Sequence, residues 1–165
     1  MSMHGYLHQI SPTRLDELLA DPEQVTDELY PSDRDFEPEC TVEKTWNAIQ
    51  FVLQVLSQLG HFPEDSPYLK EGNAIGPDLS YGPAEYRSPQ DVSVIADGLA
   101  AVDDDMLREA YQPDLMQEYN VYPEVWDAPE QTEWNFEWIR EHFRSMVDYY
   151  QDAAGRGNAM LEFIG

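Results

Sequence analysis

This chain has almost no cysteine, almost no lysine, no long apolar run and none of the short motifs that mark catalysis. Cys40 is the only cysteine in 165 residues, so no intrachain disulfide can form and a reducing compartment, the cytosol, is expected. Lys44 and Lys70 are the only lysines; with seven arginines they make nine basic residues against 33 acidic ones, a formal net charge of -24. Such a surface excludes direct nucleic-acid binding, which needs basic groups against phosphate, and an anionic membrane repels it. No segment approaches the roughly 20 apolar residues of a membrane helix; the best run, 49–56, is broken by Gln50 and Gln54. The opening MSMHGYLHQI has no basic stretch followed by an apolar one, so no secretory signal is expected.

Chemical motifs are missing in the same way. There is no GxSxG, no CxxC, no GxGxxG and no Gly-Lys-Ser. His4 and His8 are four apart on a predicted strand, about 13 Å at the usual rise, too far to share one ion. His61 and His142 have no ligand-spaced partner. Asp103, Asp104 and Asp105 resemble the start of a calcium loop, but Arg108 stands where Gly is required and no Glu follows at the twelfth position, so Asp103 reads as a helix cap. Cys40 follows Glu37 and Glu39, whose charges raise a thiol pKa and quench its reactivity. No catalytic residue, metal ligand or cofactor is therefore assigned.

What is present argues for a folded core. Hydrophobic residues are 42% and aromatics 12%, too many for a disordered chain, and the length fits a single domain, 1–165. A strand is expected at 3–10. Ser11 and Pro12 open a helix with Leu15, Leu18 and Leu19 inward, and a short helix follows with Val25 and Leu29. Thr41 is read as the cap of a helix over 42–59, in which Trp46, Ile49, Val52, Leu53, Leu56 and Leu59 recur every three or four residues; Gly60 ends it. Ser88 and Pro89 open another helix, Asp103 a further one, and the longest runs over about 130–154 with Trp134, Trp138, His142, Met146 and Tyr150 near one face. Short strands are expected at 84–87 and 159–164. The fold class is α/β: a small mixed sheet of about four strands, at least partly parallel, covered by helices, with helix well above strand.

The segment 72–88, GNAIGPDLSYGPAEYRS, gathers three Gly, two Pro, two Tyr and an Asp into a shaped loop, the kind of element on which sites are built. Together with the opening MSMHGYLHQISPTRLDELLADPE, the Trp46 helix, VYPEVW at 121–126 and the closing YYQDAAGRGNAMLEFIG, it resembles the YfbM-like family of small bacterial proteins nearly from end to end. The family's GYGPA element is matched by Ser80, Tyr81, Gly82, Pro83 and Ala84, with Ser in place of the first Gly. The resemblance implies an α/β domain of this length in a bacterial cytosol, without an assigned catalytic residue to carry over.

Two functional readings follow. An acidic, monomeric module could recognise a basic protein partner through its charged surface, as an inhibitor or immunity protein does. Alternatively, the 72–88 and 121–126 loops could form a small-molecule pocket, with Tyr81, Tyr122 and Trp126 as aromatic anchors and Asp78 and Arg87 adding polar specificity. Trp46, Trp134 and Trp138, at helical spacing, are expected in the core.

Overall fold

The computed structural model describes residues 2–165. Helix starts are set by local chemistry at three places. Ser11 accepts from the Arg14 backbone ahead of α1 (Pro12–Ala20), Ser88 from Asp91 ahead of α4 (Pro89–Ala100), and Asp103 from Met106 ahead of α5 (Asp104–Ala110). Each side-chain oxygen satisfies a backbone N–H that the first helical turn leaves without a partner. The other helices are α2 (Gln24–Leu29), α3 (Trp46–Gln58), α6 (Pro113–Glu118) and the 24-residue α7 (Thr132–Gly155). Among the described residues, no helix is long and apolar enough to cross a membrane.

Five strands, not about four, make the sheet: β1 (Gly5–Ile10), β2 (Cys40–Glu43), β3 (Asn73–Ile75), β4 (Ala84–Arg87) and β5 (Ala159–Ile164), in the order β2-β1-β5-β4-β3. Every pair is antiparallel, so the expected parallel component is corrected. The opening and closing strands run side by side in opposite directions, and β3 and β4 form a hairpin across 76–83. Neither connection is the crossover that parallel neighbours require. The segments 40–43 and 73–75, expected as helix start and loop, are strands of only four and three residues that owe their form to their neighbours. Thr41, taken for a helix cap, lies in β2 and donates to the Gly5 carbonyl at 3.1 Å, and α3 begins five residues later.

The sheet separates two apolar layers. On one face α3, α4, α5 and α7 bury Ile49, Leu53, Ile95, Leu99, Phe143 and Tyr150 against Leu7, Val42 and Met160. On the other, α1 and α2 bury Leu15, Leu18, Val25 and Leu29 against Ile75, Leu161 and Phe163. The β3–β4 hairpin docks on α2 through Gly76, whose φ is +80° and whose hypothetical Cβ would lie 2.7 Å from Val25 Cβ. Only glycine meets both conditions there.

The buried stripe of α7 runs through Phe136, Ile139, Phe143, Met146, Val147 and Tyr150. Trp134 lies off it, 61% exposed and stacked on Trp138 with ring centroids 5.5 Å apart, which corrects its expected place in the core. A strict four-residue repeat drifts around a helix of 3.6 residues per turn, so the 134–138–142 ladder leaves the core face. Leu19 and Leu59 are likewise exposed, at 44% and 42%, each at the end of its helix.

Candidate functional site

Alternation along β5 sets the chemistry of the site. Ala159, Leu161 and Phe163 face the α1–α2 layer, which leaves Met160 and Glu162 facing the large helical layer. A carboxylate is thereby placed where an apolar residue would ordinarily pack, and a buried charge must find partners. Across the ladder Glu162 lies directly opposite Glu85 of β4. Arg87, two residues on and on the same face, reaches between them: its Nη2 is 3.4 Å from Glu162 Oε2 and 3.9 Å from Glu85 Oε2. Arg87 Nη1 also donates to the Pro67 carbonyl at 2.8 Å. Its side chain is only 6% exposed.

Tyrosines complete the cluster. Tyr150 of α7 donates its hydroxyl to Glu162 Oε1. Tyr68, in the single turn Pro67–Leu69, lies with its ring centroid 5.9 Å from the Arg87 guanidinium. Burial raises the Glu162 carboxyl above its usual range, although Arg87 and the Tyr150 hydroxyl both pull it down. Burial, then the neighbouring Glu162 charge, also raises both phenols. With one Glu162 oxygen held by Tyr150 and the other by Arg87, the carboxyl group is fixed in place on both sides. Glu85 is freer: its side chain is 43% exposed, and its Oε2 accepts from the Gly72 N–H at 3.2 Å. Residue 72 has to be small for that contact, since a Cβ there would come within 2.8 Å of Glu85 Cβ.

Above this cluster is a cavity of about 320 Å³, with Glu85 and Glu162 on its floor and Trp46, Tyr68, Tyr81 and Pro83 among its walls. Its size is at the lower end of small-ligand pockets. Trp46 enters because Gly5 has no side chain: a Cβ there would lie 2.7 Å from Trp46 Cβ and 2.8 Å from Val42 Cγ2. Among the described residues, the Trp46 indole Nε1 and the Arg87 Nε are both buried without a hydrogen-bond partner.

The residues expected at a site fall into two groups. Tyr81 lines the cavity, 38% exposed, and Arg87 lies under its floor. Tyr122 is one layer back, stacked on Trp46 at 5.8 Å between centroids, its backbone N–H donating to Asn47 Oδ1 at 2.8 Å. Asp78 and Trp126 serve the loops themselves. Asp78 accepts from the backbones of Ser80 and Gly82 at 2.7 and 3.2 Å. Trp126 is 3% exposed and donates to the Val121 carbonyl at 2.6 Å. Sequence reasoning passed over Glu85, Glu162, Tyr68 and Tyr150. One signal was available: Glu162 is the only charged residue in the otherwise apolar run AMLEFI.

The remaining candidates are explained by their neighbours. Each of His8, His61 and His142 has a glutamate within 3.4 Å, respectively Glu28, Glu109 and Glu43. Burial, then the Glu39 charge, pushes the Cys40 thiol up to about 11, which suppresses the thiolate at neutral pH.

Comparison with known proteins agrees with this fold. Over 98% of this chain and 99% of the other, the structure is similar to the crystal structure of YfbM from Escherichia coli, a protein of unknown function, with a TM-score of 0.69 at 20% sequence identity. No curated protein sequence matches. A family model described as "Domain of unknown function (DUF1877)" matches residues 1–163, so the chain belongs to that family, the YfbM-like proteins.

Proposed function

We propose that this protein is a binding module for a small ligand, and that the site is the cavity over Glu85, Glu162 and Arg87. The observation that carries the reading is the convergence of three charged side chains and two tyrosines beneath an aromatic-walled opening. Burying them costs stability unless each is paired, and apolar residues of similar shape would close the same space. Sites tolerate such a cost where a ligand uses the groups. The 72–88 segment supplies Tyr81, Pro83 and Glu85 to this cavity, and the 121–126 loop supports Trp46 from behind through Tyr122.

Ligand-observed NMR with a library of small soluble compounds tests the reading, using the wild type and Gln50→Trp. Gln50 is exposed at the cavity wall, so an indole there fills the opening without disturbing the core. Compounds that bind the wild type and are lost in the variant support the site. If no bound compound responds to the variant, the cavity is not a binding site.

A second reading, recognition of a basic protein by a cytosolic monomer, is favoured by the charge distribution. Arg14, Arg87, Arg108, Arg140, Arg144 and Arg156 are each engaged with carboxylates of the same chain. Six of the seven arginines are thus used internally, which leaves the surplus of the -24 charge facing outward. A low-salt pull-down that returns a basic protein, with association slowing as salt rises, supports this reading; a pull-down returning none removes it.

A further inference from the structure

We propose that the ligand taken by the cavity is a small organic cation, an alkylammonium or guanidinium compound. The inference rests on the reading of the cavity as a ligand site and specifies its chemistry.

Among the described residues, the only charged ones lining the cavity are Glu85 and Glu162, and none is basic. Arg87 lies behind them and is a single cation shared by two carboxylates, at 3.4 and 3.9 Å. Glu85, the more exposed of the two and the farther from Arg87, is the less compensated carboxylate at the floor. Glu85 and Glu162 are also directly opposed across an antiparallel ladder, an arrangement of like groups that disfavours the sheet and that the single Arg87 relieves less at Glu85, 3.9 Å away, than at Glu162. A bound cation supplies that relief, a neutral molecule does not, and an anion adds to the repulsion.

The walls argue the same way. Trp46, Tyr68 and Tyr81 surround the floor, and aromatic faces attract alkylammonium and guanidinium groups through the ring quadrupole, indole most strongly. The net charge of the whole chain draws cations towards the opening.

Titration calorimetry at low salt tests the proposal with compounds of one shape and three charges: choline, its neutral isostere 3,3-dimethylbutan-1-ol and the anion 3,3-dimethylbutanoate, with n-propylguanidinium as a second cation shape. At least one cation is expected to bind about tenfold or more tighter than the neutral isostere, a difference of about 1.4 kcal/mol, with the anion silent. Glu85→Gln, at a half-exposed position where the amide oxygen can still accept from Gly72, is expected to abolish most of that preference while leaving the fold intact. Trp46→Phe is expected to weaken cation binding less than Glu85→Gln. Equal binding of the isostere, tighter binding of the anion, or a cation preference untouched by Glu85→Gln overturns the cation assignment. If the neutral or anionic probe binds and is lost in Gln50→Trp, the cavity stands as a site for another ligand class. If neither the four probes nor the library give binding that responds to Gln50→Trp, the site itself falls.

Discussion

Replacing Arg87 with Met removes a cation from one of the least solvated places in the protein. The Arg87 side chain is 6% exposed and that of its partner Glu162 17%, so in the variant Glu162 keeps its desolvation cost and loses its counter-charge. Breaking a buried pair from one side costs about 3–5 kcal/mol, a large part of the 5–15 kcal/mol that typically holds a domain together. The cost should depend on pH, because Glu162 can escape it by protonation. Burial already lifts its carboxyl above the usual 4.5 in the presence of Arg87, and loss of Arg87 lifts it further. A folded-state pKa above the unfolded value means that the native chain holds the extra proton between the two, so stability falls as pH rises through that window. The Arg87→Met deficit is therefore expected to be largest at neutral pH and to shrink towards pH 5. In Arg87→Met/Glu162→Gln no charge is stranded, and the amide can still accept from Tyr150. The remaining cost is the loss of the Pro67 and Lys70 carbonyl bonds to Arg87, about 1–3 kcal/mol. Urea unfolding of the four proteins at two pH values completes the cycle. A deficit that does not change with pH, or two single costs that simply add, would refute the reasoning by showing that the pair is not coupled.

Three other outcomes are expected. His8 first and then Arg14 hold the Glu28 carboxyl down at about 2, below its unfolded value, so its stabilisation is complete above pH 4.5 and is lost as pH falls towards 2; urea unfolding should find Glu28→Gln destabilised by about 3 kcal/mol at neutral pH and nearly equal to wild type near pH 2, and a constant difference would contradict this. Because the surface is so strongly of one sign, the melting temperature measured calorimetrically should rise by a few degrees between low and moderate salt, about 2–4 °C per kcal/mol of relieved repulsion; a flat or falling trend would mean that the charges are already well spread. Ser80 holds φ +88°, in the left-handed region that favours glycine, so Ser80→Gly should stabilise by about 0.5–1 kcal/mol after the added chain entropy of glycine is deducted, and a loss of stability would show that the Ser80 side chain contributes to the loop.

The sequence by itself determined whatever near neighbours decide. Ser11, Ser88 and Asp103 cap their helices because cap and N–H lie three residues apart, and Gly60 ends α3 with φ +80°, so these boundaries could be read directly. So could the helical excess, the closing strand and the charge. The cavity was only half legible: Tyr81 and Arg87 stood out in a loop rich in turn residues, whereas Glu162 and Tyr150 carry no local mark of their meeting. Tertiary structure decided the rest. The direction of the strands, the promotion of 40–43 and 73–75 to strands, the outward turn of Trp134 and the closeness of Arg87 to a carboxylate 75 positions along the chain all depend on contacts between distant segments. Those contacts form only when the sheet places its ends together, and no local pattern encodes which distant segment will arrive.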